Sequence, residues 1–304
     1  MSQTTSPRPT IRLTDIALPE HDEASSAPAV NRVDRVDRVV GEAPLTIFVG
    51  GEVVATTMRT PGHDAELTAG WLVSEAGLRE VDDIVEIKVA ATAARGMREE
   101  LREDEDAREN DDAQEDDSPD IDSVHVRLSP GIEPPRPRAY VTSSSCGVCS
   151  ADVVDAVSDP YAPLHTPDWR VHAAQALDLT RQMRTRQKMF DLTGSLHAAA
   201  LVEPNGNVLH VREDVGRHNA VDKVIGRAFM DGLVPLTDYV LVVSGRVSYE
   251  IVAKAISACV GAIVAVSGPT TLAVDTARRH DLLLVGFARD DRMNIYSGGH
   301  WVNS

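Results

Sequence analysis

Cys146 and Cys149 stand at a Cys-x-x-Cys spacing behind Ser143-Ser144-Ser145, and the 304-residue chain has only three cysteines. Two thiols so placed can close a disulfide, share a metal ion, or pass a sulfur or an electron pair between them. A zinc site needs two further ligands. No second Cys pair exists, so only histidines such as His165, His197, His210 and His218 could complete one. A thioredoxin-type dithiol needs a strand directly before the pair, and Arg136-Pro137-Arg138-Ala139-Tyr140 matches one poorly. A sulfur-carrying cysteine needs exposure, a neighbouring thiol and an acceptor site elsewhere in the fold. The serines can cap a helix over 151–157, which would set Cys146 near the positive end of its dipole and favour a thiolate. Taken alone, the motif leaves all three readings open.

The remaining chemistry-bearing residues fall into four clusters. Thr193-Gly194-Ser195-Leu196-His197-Ala198-Ala199-Ala200 offers a histidine that reads as a core residue at least as readily as a ligand. Ala199 stands where a zinc deaminase would carry its glutamate, and the Cys pair precedes the histidine, so deaminase chemistry is excluded. Glu213-Asp214-Val215-Gly216-Arg217-His218-Asn219, followed by Asp222-Lys223, lies at a strand-to-helix junction. Arg217, His218 and Asn219 there offer donors to an anion or a base edge; the competing reading is a helix-capping ion-pair network. Ser244-Gly245-Arg246 and Ser267-Gly268-Pro269-Thr270-Thr271 each lie between an apolar run and a helix start, where free N–H groups and the helix dipole suit phosphate. Neither is a P-loop. Phe287-Ala288-Arg289-Asp290-Asp291-Arg292 leaves the last apolar run with two arginines able to grip phosphate and a phenylalanine able to pack a ring.

These clusters need elements to position them. Residues 1–39 lack periodicity and are expected to be a disordered tail, with order beginning near Val40. Leu45–Val49 and Glu52–Thr56 flank Gly50-Gly51, a hairpin pattern. Asp64 is expected to cap a helix whose stripe is Leu67, Trp71 and Leu72 and which ends at Gly77. Ile84–Val89 and Val124–Leu128 alternate as paired strands around an acidic insert over 96–122. From Leu192 onward, β-branched runs at Val208–Val211, Tyr239–Val243, Ala262–Val266 and Leu282–Gly286 alternate with helical segments. The expected fold class is therefore α/β, with a β-rich part over 40–145 and an α/β domain over 146–304 that carries a mostly parallel sheet with helices on both faces.

The net charge of −17 is local, since residues 99–122 carry −12 and the remainder about −5. Such a local feature does not decide function; no nucleic acid partner is expected, and with no long apolar run no membrane span is expected. So few cysteines, with no signal-like apolar run at the start, lead to the expectation of a reducing, cytoplasmic setting.

Several ordered motifs together resemble the FdhD/NarQ family of formate dehydrogenase accessory sulfurtransferases. They are Ser-Ser-Cys-Gly-Val-Cys (144–149), Thr-Gly-Ser-Leu-His-Ala-Ala (193–199), Arg-Glu-Asp-Val-Gly-Arg-His-Asn-Ala-Val-Asp-Lys (212–223), Ser-Gly-Arg-Val-Ser-Tyr-Glu (244–250) and Gly-Phe-Ala-Arg (286–289), with Met58-Arg59-Thr60-Pro61-Gly62 upstream. The resemblance implies a cytidine-deaminase-like core and a protein that takes persulfide sulfur from a cysteine desulfurase. It also implies delivery to the molybdenum cofactor, as bis-molybdopterin guanine dinucleotide, for formate dehydrogenase. On this likeness Cys146 carries the persulfide, Cys149 assists, and Phe287 through Arg292 contact the cofactor. Arg217, His218, Asn219, Ser244, Arg246 and Ser267 are the further expected cofactor contacts, read from the loops above. No resident metal is expected, and a homodimer is. A zinc-stabilised cofactor chaperone is the alternative. Ser150 and Ser195 stand where the family pattern leads one to expect glycine, and the acidic insert lies outside that pattern.

Overall fold

The computed structural model describes residues 5–14, 31–90, 121–136, 141–142 and 170–303. Cys146, Cys149, Ser150, the helix expected over 151–157, nearly all of the acidic insert and the 145/146 boundary lie outside the described residues.

β1 (Thr5–Thr14) and β2 (Asn31–Val40) pair antiparallel, Thr5 opposite Val40 and Thr14 opposite Asn31. Both fall in the region expected to lack structure. The reason is visible in β2, where Val33, Val36 and Val39 stand exposed at every third position. Backbone pairing holds this ribbon, and it needs no apolar period. β3 (Ala43–Val49) and β4 (Glu52–Arg59) form the expected hairpin, with Gly50 and Gly51 at φ +61° and +94° in the turn.

α1 (Asp64–Glu75) follows, but Asp64 is not its cap; His63 takes that position. The Asp64 carboxylate instead accepts from Arg59 Nε and Nη2 at 3.0 and 2.9 Å. Arg59, wholly buried, also donates to Asp122 at 2.6 Å and to the Ala43 carbonyl oxygen. Asp122, counted with the acidic insert by sequence, thus begins β6 (Asp122–Leu128) as part of the core. A guanidinium without water must be paired, and that requirement overrides the capping preference. β5 (Ile84–Ala90) pairs antiparallel with β6, and with β7 (Val141–Thr142) these strands form a sheet ordered β5-β6-β3-β4-β7.

The chain resumes at β8 (Val171–His172), α2 (Ala173–Thr185) and α3 (Lys188–Thr193). Then come β9 (His197–Val202), β10 (Val208–Asp214), α4 (Arg217–Met230), β11 (Val240–Val243), α5 (Tyr249–Ser257), β12 (Ala262–Ala265) and α6 (Thr271–Arg279). β13 (Leu283–Arg289), β14 (Arg292–Ser297) and β15 (Val302–Asn303) close the series, β15 pairing with β8.

The second sheet is ordered β10-β9-β11-β12-β13-β14. The expected mostly parallel sheet is in fact mixed: β11, β12 and β13 run parallel, while β9, β10 and β14 join antiparallel. Connection length decides this. α5 and α6 cross over between the parallel strands, whereas β9–β10 and β13–β14 are tight hairpins that reverse the chain.

Helices do cover both faces. Leu201, Leu241, Ile263 and Leu284 join a core that also holds Leu45, Ile47, Val224 and Ile256. On the opposite face Ala200, Val242, Val264 and Val285 pack with Ala176, Leu179 and Met183 of α2. The first of these cores runs unbroken from the five-stranded sheet through α1 and α4 into the six-stranded one. α1 and α4 cross backbone to backbone. A Cβ on Gly70 would collide with the Asp222 carbonyl, and one on Gly226 with the Glu66 carbonyl. Among the described residues no helix is long and apolar enough to cross a membrane.

Candidate functional site

Strand direction gathers the expected site residues on one edge of the six-stranded sheet. β11, β12 and β13 are parallel, so Ser244, Ser267 and Phe287 all leave at their carboxyl ends. β9 runs the other way and begins there with His197, which lies opposite Asp214 at the end of β10. The first turns of α4, α5 and α6 start from this same edge. Ligand crevices form outside strand carboxyl ends, above all where neighbouring strands change direction, as β9 and β11 do here.

The Glu213–Lys223 cluster divides in two. Asp214, fully buried, accepts from Thr60 N at 3.1 Å, Gly216 N at 2.8 Å, Asn219 Nδ2 at 3.1 Å and Lys223 Nζ at 2.7 Å. Asn219 also donates to the Met58 carbonyl at 2.8 Å. Glu213 accepts from the backbone N–H of Met189 and Phe190 at the start of α3. Asp222 pairs with Lys254 at 2.8 Å. For these residues the ion-pair-network reading holds: they join Thr60 and Met58 to the α/β core. Asn219, expected at the cofactor, is committed to that framework. Arg217 and His218 are not part of it.

Arg217 opens α4 with its side chain against Gly245, where a Cβ would lie 3.4 Å from Arg217 Cβ and Cδ and 3.2 Å from His197 Nδ1. Among the described residues its buried Nε has no hydrogen-bond partner. Burial and then Arg246 push the guanidinium down from its ordinary value, with Glu250 opposing. Among the described residues the buried Arg59 is neutralised by Asp64 and Asp122, and the partly buried Arg212 by Glu66. His218 Nε2 lies 2.8 Å from Glu250 Oε2 and 3.1 Å from Ser248 Oγ. Ser244 Oγ accepts from Ala198 N at 2.9 Å, so this hydroxyl anchors its loop to β9. The two anion-suited loops are stitched together, Val247 N donating to Gly268 O at 3.2 Å and Thr270 N to Val247 O at 2.9 Å.

The C-terminal arm differs from its expected form. Arg289 and Arg292 are paired residues flanking a hairpin turn of Asp290-Asp291, rather than residues of one loop after the last strand. Both arginines and both aspartates are exposed, while Ala288 is fully buried and offers a ligand no side-chain contact. Phe287 adopts φ +53°, uncommon for a bulky residue. Its ring lies on Gly268, where a Cβ would sit 2.6 Å from Cζ, yet the residue stays 36% exposed. Glycine at 268 leaves room for the tip of the ring beside Ser267, whose carbonyl accepts from Phe287 N at 3.2 Å.

Sequence reasoning assigned no role to Glu250 or Ser248, and it left His197 between a core residue and a ligand. His197 is half-buried, and no hydrogen bond to its imidazole occurs among the described residues. Burial, then Arg217 and His218, hold it below its ordinary value, with Asp214 opposing. The signal for His197 was its place at the first residue of a strand antiparallel to its neighbours, a fact of topology rather than of composition.

Residues 40–303 match the sequence model of the FdhD/NarQ family. Streptomyces avermitilis has a sulfur carrier protein FdhD that is 41% identical over 273 residues, covering 88% of this chain and 90% of that protein. The Mycobacterium tuberculosis protein of the same name is 39% identical over 270 residues, covering 87% and 91%. A crystal structure from Desulfotalea psychrophila, named as that of a formate dehydrogenase accessory protein, superposes with TM-score 0.71 at 19% identity, covering 99% of this chain and 100% of that one. That likeness speaks to the fold.

Proposed function

The chain belongs to the FdhD/NarQ family, and from that premise we propose that it is a cytoplasmic sulfurtransferase that loads sulfur onto the molybdenum cofactor of formate dehydrogenase. Cys146 thiolate attacks the terminal sulfur of a cysteine desulfurase persulfide. A new S–S bond forms at Cys146, the desulfurase S–S bond breaks, and the desulfurase cysteine leaves as thiolate. The terminal sulfur then binds the metal of the cofactor, here a substrate. Cys149 thiolate attacks the inner sulfur, closing a Cys146–Cys149 disulfide and leaving sulfide on the metal. A dithiol reductant reopens the disulfide.

One observation carries the cofactor half of this reading. Arg217, with its orphaned Nε, faces Arg246 on the edge where Phe287 lies over Gly268. Unpaired guanidiniums suit the phosphates of a guanine dinucleotide, and an exposed ring suits its base. Arg289 and Arg292, exposed at the neighbouring hairpin, extend that cationic edge. The cytidine-deaminase-like description of the core belongs to the same proposal, as does the pairing of two copies.

Mass spectrometry after incubation with desulfurase and cysteine tests the sulfur half. One added sulfur atom is expected, and Cys146→Ala should abolish it; an unchanged gain in that variant sinks the assignment. Zinc that survives dialysis and is lost in Cys149→Ala would favour the cofactor-chaperone alternative instead.

A further inference from the structure

We propose that the outer edge of β2 pairs antiparallel with the same strand of a second copy of this chain, joining two β1–β2 ribbons into one four-stranded sheet. The inference rests on the pairing of two copies proposed above and gives it a surface. β1 and all of β2 but Val40 precede the residues matched by the family model, so the family likeness does not supply this surface.

The ribbon has one blunted edge and one open one. Pro7 and Pro9 of β1 stand opposite Arg38 and Val36. Proline has no N–H to give, so these are non-hydrogen-bonded pairs of the ladder. The outer edge of β1 therefore lacks the donors of Pro7 and Pro9 and is a poor template for another strand. On β2 the backbone N–H and C=O groups of Val36 and Arg38 point away from β1. β2 contains no proline, and among the described residues no third strand joins the ribbon. α3 lies against β2 yet leaves Asp34, Val36 and Arg38 exposed.

The order of residues in β2 selects its own copy as the partner. A strand pairs antiparallel with its copy about a two-fold axis only where opposite residues lie on the same face, which requires their numbers to sum to an even value. Centring on Val36 sets Val36 opposite Val36, Arg35 opposite Asp37, Asp34 opposite Arg38 and Val33 opposite Val39. Each charge from Asp34 to Arg38 then meets its opposite. Val33, Val36 and Val39, all exposed in the single chain, meet one another. Moving the centre to a neighbouring residue sets Arg35 against Arg35 or Asp37 against Asp37. Centring on Val33 or Val39 leaves half of the strand or more unpaired.

Sedimentation velocity of the full-length chain at micromolar concentrations tests this, since one strand edge is smaller than a standard interface. Asp34→Arg and Arg38→Asp each bring two pairs of like charges together across the joint, and each is expected to weaken the dimer about thirtyfold. Their register partners on β1, Ile11 and Pro7, are uncharged, so the ribbon itself is not opposed. Mixing the two variants restores opposite charges at both pairs, as does combining Asp34→Arg with Arg38→Asp in one chain, and both must regain wild-type association. Variants that associate as tightly as wild type, or a mixture as weak as its parts, overturn the edge alone. Wild type that stays monomeric overturns the pairing of copies and the edge with it. Should a charge variant fail to fold, Val36→Cys decides. The Val36 pair is hydrogen-bonded in this register, with Cα atoms about 5.5 Å apart, within the reach of a disulfide. Mild oxidation must link the peptide containing residue 36 to its own copy, read by mass spectrometry after proteolysis, and absence of that link overturns the inference.

Discussion

Glu66 lies nearly buried on α1, and burial by itself would raise its carboxyl. Arg212 reaches it through two bonds of 2.5 and 2.8 Å, and His63 stands at 3.1 Å; together they hold it at about 2, against 4.5 unpaired. The folded value lies below the unfolded one. The pair therefore contributes fully above pH 4.5, and its contribution disappears as pH falls toward 2. Arg212→Met should cost about 2 kcal/mol at neutral pH, between exposed pairs at about 0.5 and fully buried ones at about 4. Urea unfolding at pH 7 and pH 3 checks this: the penalty must shrink on acidification, and a pH-independent loss contradicts the assignment. The residue types in this pair were plain in the sequence. Their pairing was not, because Glu66 and Arg212 are 146 positions apart.

Where α1 crosses α4, Gly70 and Gly226 bring two backbones into contact, and the chain has no room there for a Cβ. Alanine is the better helix former by about 1 kcal/mol. Gly226→Ala should nonetheless lose about 3 kcal/mol, since overpacking against a carbonyl cannot be relieved by a side-chain rotation. Chemical denaturation measures it, and a variant as stable as wild type would show that the helices can separate. Element types were largely legible beforehand. The Gly50-Gly51 hairpin, the α1 stripe and the β-branched runs of β11, β12 and β13 are local patterns, and locality is what a sequence exposes. The capping of α1 by Asp64 was misread because the buried Arg59, five positions upstream, claims that carboxylate, and the sheet direction because the β9–β10 and β13–β14 connections are tight hairpins that reverse the chain.

The β-rich and α/β parts share one core, in which Leu45 and Leu72 belong with Val224 and Leu284. Thr60 of the first part is also bonded to the buried Asp214 and Lys223 of the second. A chain beginning at residue 170 would leave the apolar face of α4 uncovered and remove acceptors and donors from two buried charges. Such a fragment is expected to show no cooperative thermal transition, whereas the whole chain unfolds in a single one. Calorimetry of both tests this, and a folded fragment would establish that the α/β part is an independent domain.

Read alone, the sequence determined the alternation of strands and helices, the family motifs and the loops suited to anions, because each is written in neighbouring residues. Only the tertiary structure decided which polar side chains remain available for chemistry. Asn219 looked as functional as Arg217, yet Met58, 161 positions upstream, draws it into the framework, as Thr60 does Asp214. His197 looked like a core residue and is left with its imidazole unbonded among the described residues. The reason is physical: a buried polar group is defined by whether its hydrogen bonds are satisfied, and satisfaction is a property of the folded neighbourhood rather than of the residue.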